Sequence, residues 1–198
     1  MNGTDAEVCG PGTDRELEAV LARAFADDPI WQWLLPRPSS YDRRARALLG
    51  SLARMYRDAG GEVWRTAGGA AFAIWGRPGS TPLGPARALP VLHRLLPAIL
   101  PTAPRFATLS AFDHHHPHEE HWYLAVLGTD PAHQRRGHGA AAIAPVLERA
   151  DAEGRGCYLE SSKEANVPFY RGRGFEVLRT LEVGRGAPPV WLMWRDPR

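Results

Sequence analysis

The chain has 198 residues, of which 44% are apolar and 23% charged, with a formal net charge of +2. That length and composition suit one globular domain with a full-sized core. So small a net charge, carried by scattered arginines, argues against a nucleic-acid platform.

Residues 14–27, DRELEAVLARAFAD, place Leu17, Val20, Leu21, Ala24 and Phe25 on one helical face, with Thr13 or Asp14 as the cap. DDPIWQWLLPRP breaks that helix at Pro29 and carries two tryptophans. A second helix is expected over 41–59, with Leu48, Leu52, Met55 and Tyr56 inward, ending at Gly60-Gly61. EVWRT and AAFAIWG read as a hairpin turned at Gly68-Gly69. Residues 86–100 and 103–112 read as helices bracketed by prolines. After them come a strand at 121–128, an alanine-rich helix at 139–153 and a strand at 157–161. The short segment KEANVPFYRGRG and the strands FEVLRT and PVWLMWR complete the chain. This order predicts a mixed α+β sheet in a single domain.

Cys9 and Cys157 are too few and too far apart for a disulfide framework or a zinc site. No apolar run approaches the roughly 18 residues of a membrane span, and MNGTDAEVCGPGTDRE lacks a basic-then-apolar leader. A cytoplasmic protein without a membrane partner is the expectation. Lys163 is the single lysine among 24 basic residues, a bias that fits a GC-rich, actinomycete-like genome.

The stretch PAHQRRGHGAAA, at 131–142, lies between a strand and a helix. Unpaired amides at the helix start, with Gly137 and Gly139 allowing close approach, can form an anion site. Gly137-His138-Gly139-Ala140-Ala141-Ala142 also fits a dinucleotide fingerprint, with Glu160 as its ribose acid. The layout speaks against that reading. TDPAHQRR intervenes between Gly128 and Gly137, and only 38 residues follow Glu160. No G-K-[ST] is present for a Walker loop.

The string Gln134-x-x-Gly137-x-Gly139-Ala140, within LGTDPAHQRRGHGAAAIAPVL, resembles the acyl-CoA loop of the GCN5-related N-acetyltransferases, or GNATs. YLESSKEANVPFYRGRGFEV resembles their second motif. AFADDP, AFAIWGRP, HPHEEHWYLAVLGTDP and VWLMWR are similar to stretches of the puromycin N-acetyltransferase branch. The resemblance implies a mostly antiparallel sheet, splayed between its fourth and fifth strands. It divides the domain into an acceptor-side half, 1–118, and an acyl-CoA and catalytic half, 119–198. It also implies transfer of an acetyl group from acetyl-CoA to a small-molecule primary amine within a ternary complex, with antibiotic resistance or modification as a possible setting. In this reading Leu127, Gly128 and Thr129 border the pantetheine arm, and Gln134, Arg135, Arg136, Gly137, His138, Gly139 and Ala140 surround the pyrophosphate. Asn166 holds the cofactor arm, or else caps the next helix or forms an Asx turn before Pro168.

Tyr170 is placed as general acid to the CoA sulfur. Glu119, in P-x-E-x-x-W, is placed as base, with His118, Glu120 and His121 in reserve. Phe25, Asp28, Trp31 and Trp33 form an aromatic and acidic set suited to a cationic amine with an apolar body, although each also suits core or lid packing. The histidine run is not H-E-x-x-H, and no metal is expected. Two rivals remain: a biosynthetic transferase using a larger acyl-CoA or a carrier protein's pantetheine arm, and a non-catalytic CoA-binding sensor. A monomer or homodimer fits either.

Overall fold

The computed structural model describes residues 5–80, 85–112, 114–182 and 184–198. Asp113, which opens the histidine stretch, lies outside the described residues. A seven-stranded sheet runs in the order β1-β2-β3-β4-β5-β7-β6. Its strands are β1 (Ala6–Val8), β2 (Glu62–Thr66), β3 (Ala71–Gly76), β4 (Trp122–Thr129), β5 (Cys157–Ser161), β6 (Glu176–Glu182) and β7 (Pro189–Arg195). Among these, β4 and β5 pair in parallel and the other neighbours antiparallel. The α+β class, the GNAT-like layout and the splay expected between the fourth and fifth strands are present. β1 was not anticipated, because three residues are too few to display an alternation.

One face of the sheet is covered by α1 (Asp14–Ala24), α2 (Pro29–Leu34) and α3 (Pro38–Asp58), with Leu17, Leu21, Leu49, Phe72 and Ile74 fully buried between them. The other face packs α7 (His138–Ala152) and α8 (Val167–Arg171) against Trp75, Trp122, Leu124 and Met193. β3 is buried at all six positions, as a strand covered on both faces must be. α1 stops at Ala24, with Phe25 as its C-cap, short of the break expected at Pro29; Pro29 instead starts α2. Its missing N–H costs nothing at a first helical position, and Asp28 caps the new helix.

The two proline-bracketed helices expected at 86–100 and 103–112 resolve into shorter pieces: α4 (Pro85–Ala88), α5 (Leu92–Ile99) and α6 (Ala103–Ala107), joined by 3₁₀ turns. Pro90 and Pro101 fall in those turns, because a proline ring clashes with the preceding helical turn and offers no N–H. Arg44, 3% exposed on α3, ties this layer down by donating to the Ala98 carbonyl (2.7 Å) and the Thr102 hydroxyl (2.6 Å).

The splay has a local cause. β3 and β4 are in register from Ala71↔Thr129 to Ile74↔Val126, but the next pair is Trp75↔Leu124, so Ala125 is an extra residue. This bulge reverses the side-chain alternation. Trp122 and Leu124 face α7, whereas Ala125 and Val126 both face the α1–α3 layer and Leu127 turns back toward α7. On its other edge, β4 stays paired with β5 only from Trp122↔Cys157 to Leu124↔Leu159. Beyond the bulge the two strands part, opening a cleft.

Candidate active site

The loop after β4 carries two left-handed residues, Arg135 (φ 59°) and Gly137 (φ 87°). For a non-glycine residue that conformation costs about 1–2 kcal/mol, and strain of this kind concentrates at ligand clamps. Such alternating handedness is the backbone pattern of an anion nest. Gly137 is the N-cap of the fifteen-residue α7, whose first-turn amides and dipole reinforce the nest. A Cβ on Gly139 would sit 3.3 Å from Thr129 Oγ1 and 3.6 Å from the Phe169 ring. With glycine at this position the first turn of α7 presents bare backbone to the cleft.

A cleft of about 620 Å³ runs from this loop into the splay. Leu127, Gly128, Thr129, Gln134, Arg135, Gly137, His138, Gly139, Ala140 and Asn166 line it, and Arg136 does not. The His138 Nδ1 is buried with no hydrogen-bond partner among the described residues. Asn166 occupies the N-cap of α8, yet its side chain makes no capping bond, so the helix-cap alternative does not describe it. Gly128 has a packing role besides lining the cleft. A Cβ there would meet Leu21 Cδ2 at 2.5 Å and Ala24 Cβ at 3.1 Å, so the glycine is what lets α1 lie against β4.

A second cavity of about 680 Å³ lies on the α1–α3 side of the splay. Phe25, Asp28, Leu127, Asn166 and Tyr170 line both cavities. Where the two meet, a bound thioester and a bound amine can touch.

Tyr170 is 8% exposed, and burial, with a smaller contribution from Asp28, raises its phenol above the ordinary tyrosine range. It therefore keeps its proton at neutral pH. Phe25 and Trp31 stack with centroids 5.2 Å apart, as the predicted aromatic set requires. Trp33 is not brought to them. It lines neither cavity, its ring lies 5.5 Å from the Arg105 guanidinium, and its carbonyl accepts from the same side chain.

Asp28 is 2% exposed and fully engaged. Its Oδ1 accepts from the amides of Ile30 (3.0 Å) and Trp31 (3.1 Å), and its Oδ2 accepts from the Ser162 hydroxyl. Burial raises its pKa, with those hydrogen bonds opposing. Beside it Lys163 pairs with Asp27 at 2.5 Å. The α1–α2 corner is thus fastened to the segment after β5.

Glu119 lines the second cavity from an exposed position, and its main-chain carbonyl accepts from the His121 ring (2.7 Å). Deeper in the same cavity stands Glu160, which the sequence reading weighed only as a ribose acid. Its carboxylate accepts from the Tyr123 hydroxyl at 2.5 Å and lies 3.8 Å from His116 Nδ1. A charge inside the buried strand CYLES was the one local signal for it. Cys157 is buried on β5, and burial pushes its thiol up to about 12, far from a thiolate nucleophile. Among the described residues no cluster of three or more histidine, cysteine or acidic side chains is placed to hold a metal ion, and no helix is long and apolar enough to cross a membrane.

Residues 105–175 match the model of the acetyltransferase (GNAT) family, a span that contains β4, the nest, α7, β5 and α8. The whole chain is similar to a Corynebacterium glutamicum protein described as histone acetyltransferase HPA2 and related acetyltransferase. That pair has a TM-score of 0.74 and 24% identity over 98% of this chain and 96% of that one. It is also similar to the ribosomal-protein-S18-alanine N-acetyltransferase of Escherichia coli (TM-score 0.55, 15% identity, 96% and 92% covered). A third likeness is to arylalkylamine N-acetyltransferase 2 of Aedes aegypti (TM-score 0.58, 11% identity, 98% and 98% covered). Identities this low carry the fold and leave the acceptor open, since those proteins differ in what they modify. Residues 105–175 thus match the GNAT acetyltransferase model, and the chain as a whole shares the fold of these structures.

Proposed function

We propose that this protein transfers an acetyl group from acetyl-CoA to the primary amine of a small molecule with an apolar body, by direct attack in a ternary complex. The observation that carries this reading is the pair of cavities meeting at Tyr170, Asn166 and Leu127. The left-handed Arg135 and Gly137, the start of α7 and the bare Gly139 fit a pyrophosphate. β4 beyond Ala125, unpaired toward β5, offers main-chain groups to a pantetheine amide. Acetyl-CoA, when bound, supplies the thioester carbonyl and the leaving sulfur. Tyr170 holds the proton that sulfur needs. The acceptor side is walled by Phe25, Trp31, Leu34, Leu52 and Tyr56, which suit an apolar body. Cys157 has no access or ionisation for an acyl-enzyme route, which favours direct transfer.

Incubation of the protein with acetyl-CoA and a panel of primary amines, read as thiol release and product mass, tests the reading. Thiol release that depends on an amine is the expected result. Tight CoA binding with no thiol from any amine would overturn it in favour of a CoA-binding sensor. Turnover only with longer acyl donors or a pantetheinylated carrier would favour the biosynthetic transferase.

A further inference from the structure

Amine attack needs the free base, so a proton must leave the acceptor ammonium and reach solvent. We propose that Glu160 takes this proton and that His116, its tautomer fixed by His121, passes it to solvent, so that the base is a relay anchored on β5. This rests on the acyl-transfer reading above and specifies its acceptor side.

The chain of contacts is continuous. Glu160 lines the acceptor cavity, with its side chain 12% exposed. Its Oε2 is held by the Tyr123 hydroxyl (2.5 Å), and its Oε1 lies 3.8 Å from His116 Nδ1, a gap that one water or a small ring rotation closes. His116 Nε2 is 3.1 Å from His121 Nε2, and His121 Nδ1 is 2.7 Å from the Glu119 carbonyl at the exposed end of the loop.

The tautomers follow from that last contact. A carbonyl only accepts, so His121 Nδ1 carries the hydrogen and its Nε2 holds the lone pair. His116 Nε2 must then donate to it, which leaves the His116 Nδ1 lone pair facing Glu160. In that state His116 Nδ1 can accept the proton from Glu160, and the His116 side chain, 34% exposed, gives one up to water. Burial holds His121 below the ordinary histidine range, so it stays neutral and keeps its Nε2 lone pair toward His116. Glu160 is also faced by Tyr56 from α3 and Tyr158 from β5, both raised by burial with Glu160 adding to the shift. Tyr123 from β4 is raised in the same way. These phenols remain protonated and leave the carboxylate as the proton acceptor. Their rings, with His116 stacked edge-on to Tyr123 (5.0 Å) and Tyr158 (4.8 Å), give an ammonium aromatic surroundings beside one carboxylate.

The protons balance. One leaves the ammonium for Glu160. The freed nitrogen lone pair bonds to the acyl carbon as the carbon–sulfur bond breaks. Tyr170 gives its phenolic proton to the departing sulfur and regains one from the new amide nitrogen. One proton per turnover is released, through His116.

Glu160→Gln keeps the shape and the contact with Tyr123. It should lower kcat/KM about 100-fold or more at pH 7 while acetyl-CoA binding by calorimetry is unchanged. The loss should shrink as pH rises toward the acceptor's own pKa, and should nearly vanish with a weakly basic amine. In the protein alone, ¹⁵N–¹H spectra should show His121 as the Nδ1–H tautomer and His116 as Nε2–H. If Glu160→Gln fails to fold, His116→Ala decides, with an expected loss of about tenfold rescued by added imidazole. Wild-type turnover with an unchanged pH profile in either variant, or the opposite tautomers, overturns the relay alone. A wild-type protein that releases no thiol with any amine overturns the acyl-transfer reading and the relay with it.

Discussion

Replacing Asp28 separates a carboxylate that holds the fold from one that holds a substrate. Its two oxygens accept three hydrogen bonds, from Ile30 N, Trp31 N and Ser162 Oγ. Loss of an N-cap costs about 1 kcal/mol, and loss of a hydrogen bond to a buried charged acceptor about 1.5–3 kcal/mol. Asp28→Ala also removes the burden of burying the charge, so the net loss should be about 2 kcal/mol. For a chain of this size that lowers Tm by about 4–8 °C. Asp28→Asn keeps an oxygen to cap α2 and an amide to donate to Ser162, and it buries no charge. Its Tm at pH 7 should lie within about 2 °C of wild type. The pH dependence has a definite sign. A carboxyl whose pKa is raised on folding contributes stability that is complete below its unfolded pKa and is lost as pH rises through its folded one. Wild type should therefore gain on Asp28→Asn as pH falls below neutral toward about 4. Thermal melts of the three proteins at pH 7 and 5, with the acceptor KM of Asp28→Asn, make the test. An Asn variant as unstable as the Ala variant would refute the assignment. So would a tenfold higher acceptor KM in a fully stable Asn variant, which would show that the charge holds the amine.

Tyr170→Phe should lower kcat about 100-fold or more with little change in the KM for acetyl-CoA; an unchanged kcat would remove the tyrosine from the chemistry. Gly137→Ala forces an L-residue into the left-handed region (φ 87°), at about 1–2 kcal/mol. The loop should give way, and the acetyl-CoA Kd measured by calorimetry should rise about tenfold; an unchanged Kd would argue against the cradle. Gly128→Ala places a methyl 2.5 Å from Leu21 Cδ2, an overpacking worth about 1–3 kcal/mol. Its Tm should fall, and its acceptor KM should rise because α1 carries Phe25 at its end. A Tm equal to wild type would refute the close approach of α1 to β4.

Features whose physics is local were legible in the residues. Gly137 and Gly139 mark the loop proposed to hold the pyrophosphate because left-handed backbone and close approach both favour glycine, and the strand before them and the helix after them follow from periodicity. The α1 and α3 faces were readable for the same reason. What could not be read depends on register or on tertiary neighbours. The nearly continuous apolar run WYLAVLGT gives no sign that Ala125 is inserted opposite β3, yet that residue sets which side chains face each cavity and where β4 leaves β5. Gly128 looks like one more glycine of the cofactor loop until α1 is placed across it. Trp33 lies two residues after Trp31 on a six-residue helix, and a separation of two puts it on a different face of that helix. Glu160 makes the same point in chemical terms. Along the chain its neighbours are Leu159 and Ser161. In space it is bordered by Tyr56 of α3, Tyr123 of β4 and His116 of the preceding loop. Glu119 is recognised by a motif, and so it can be found without a fold. A base defined by the groups that receive its proton can be found only once β4, β5 and α3 are in place.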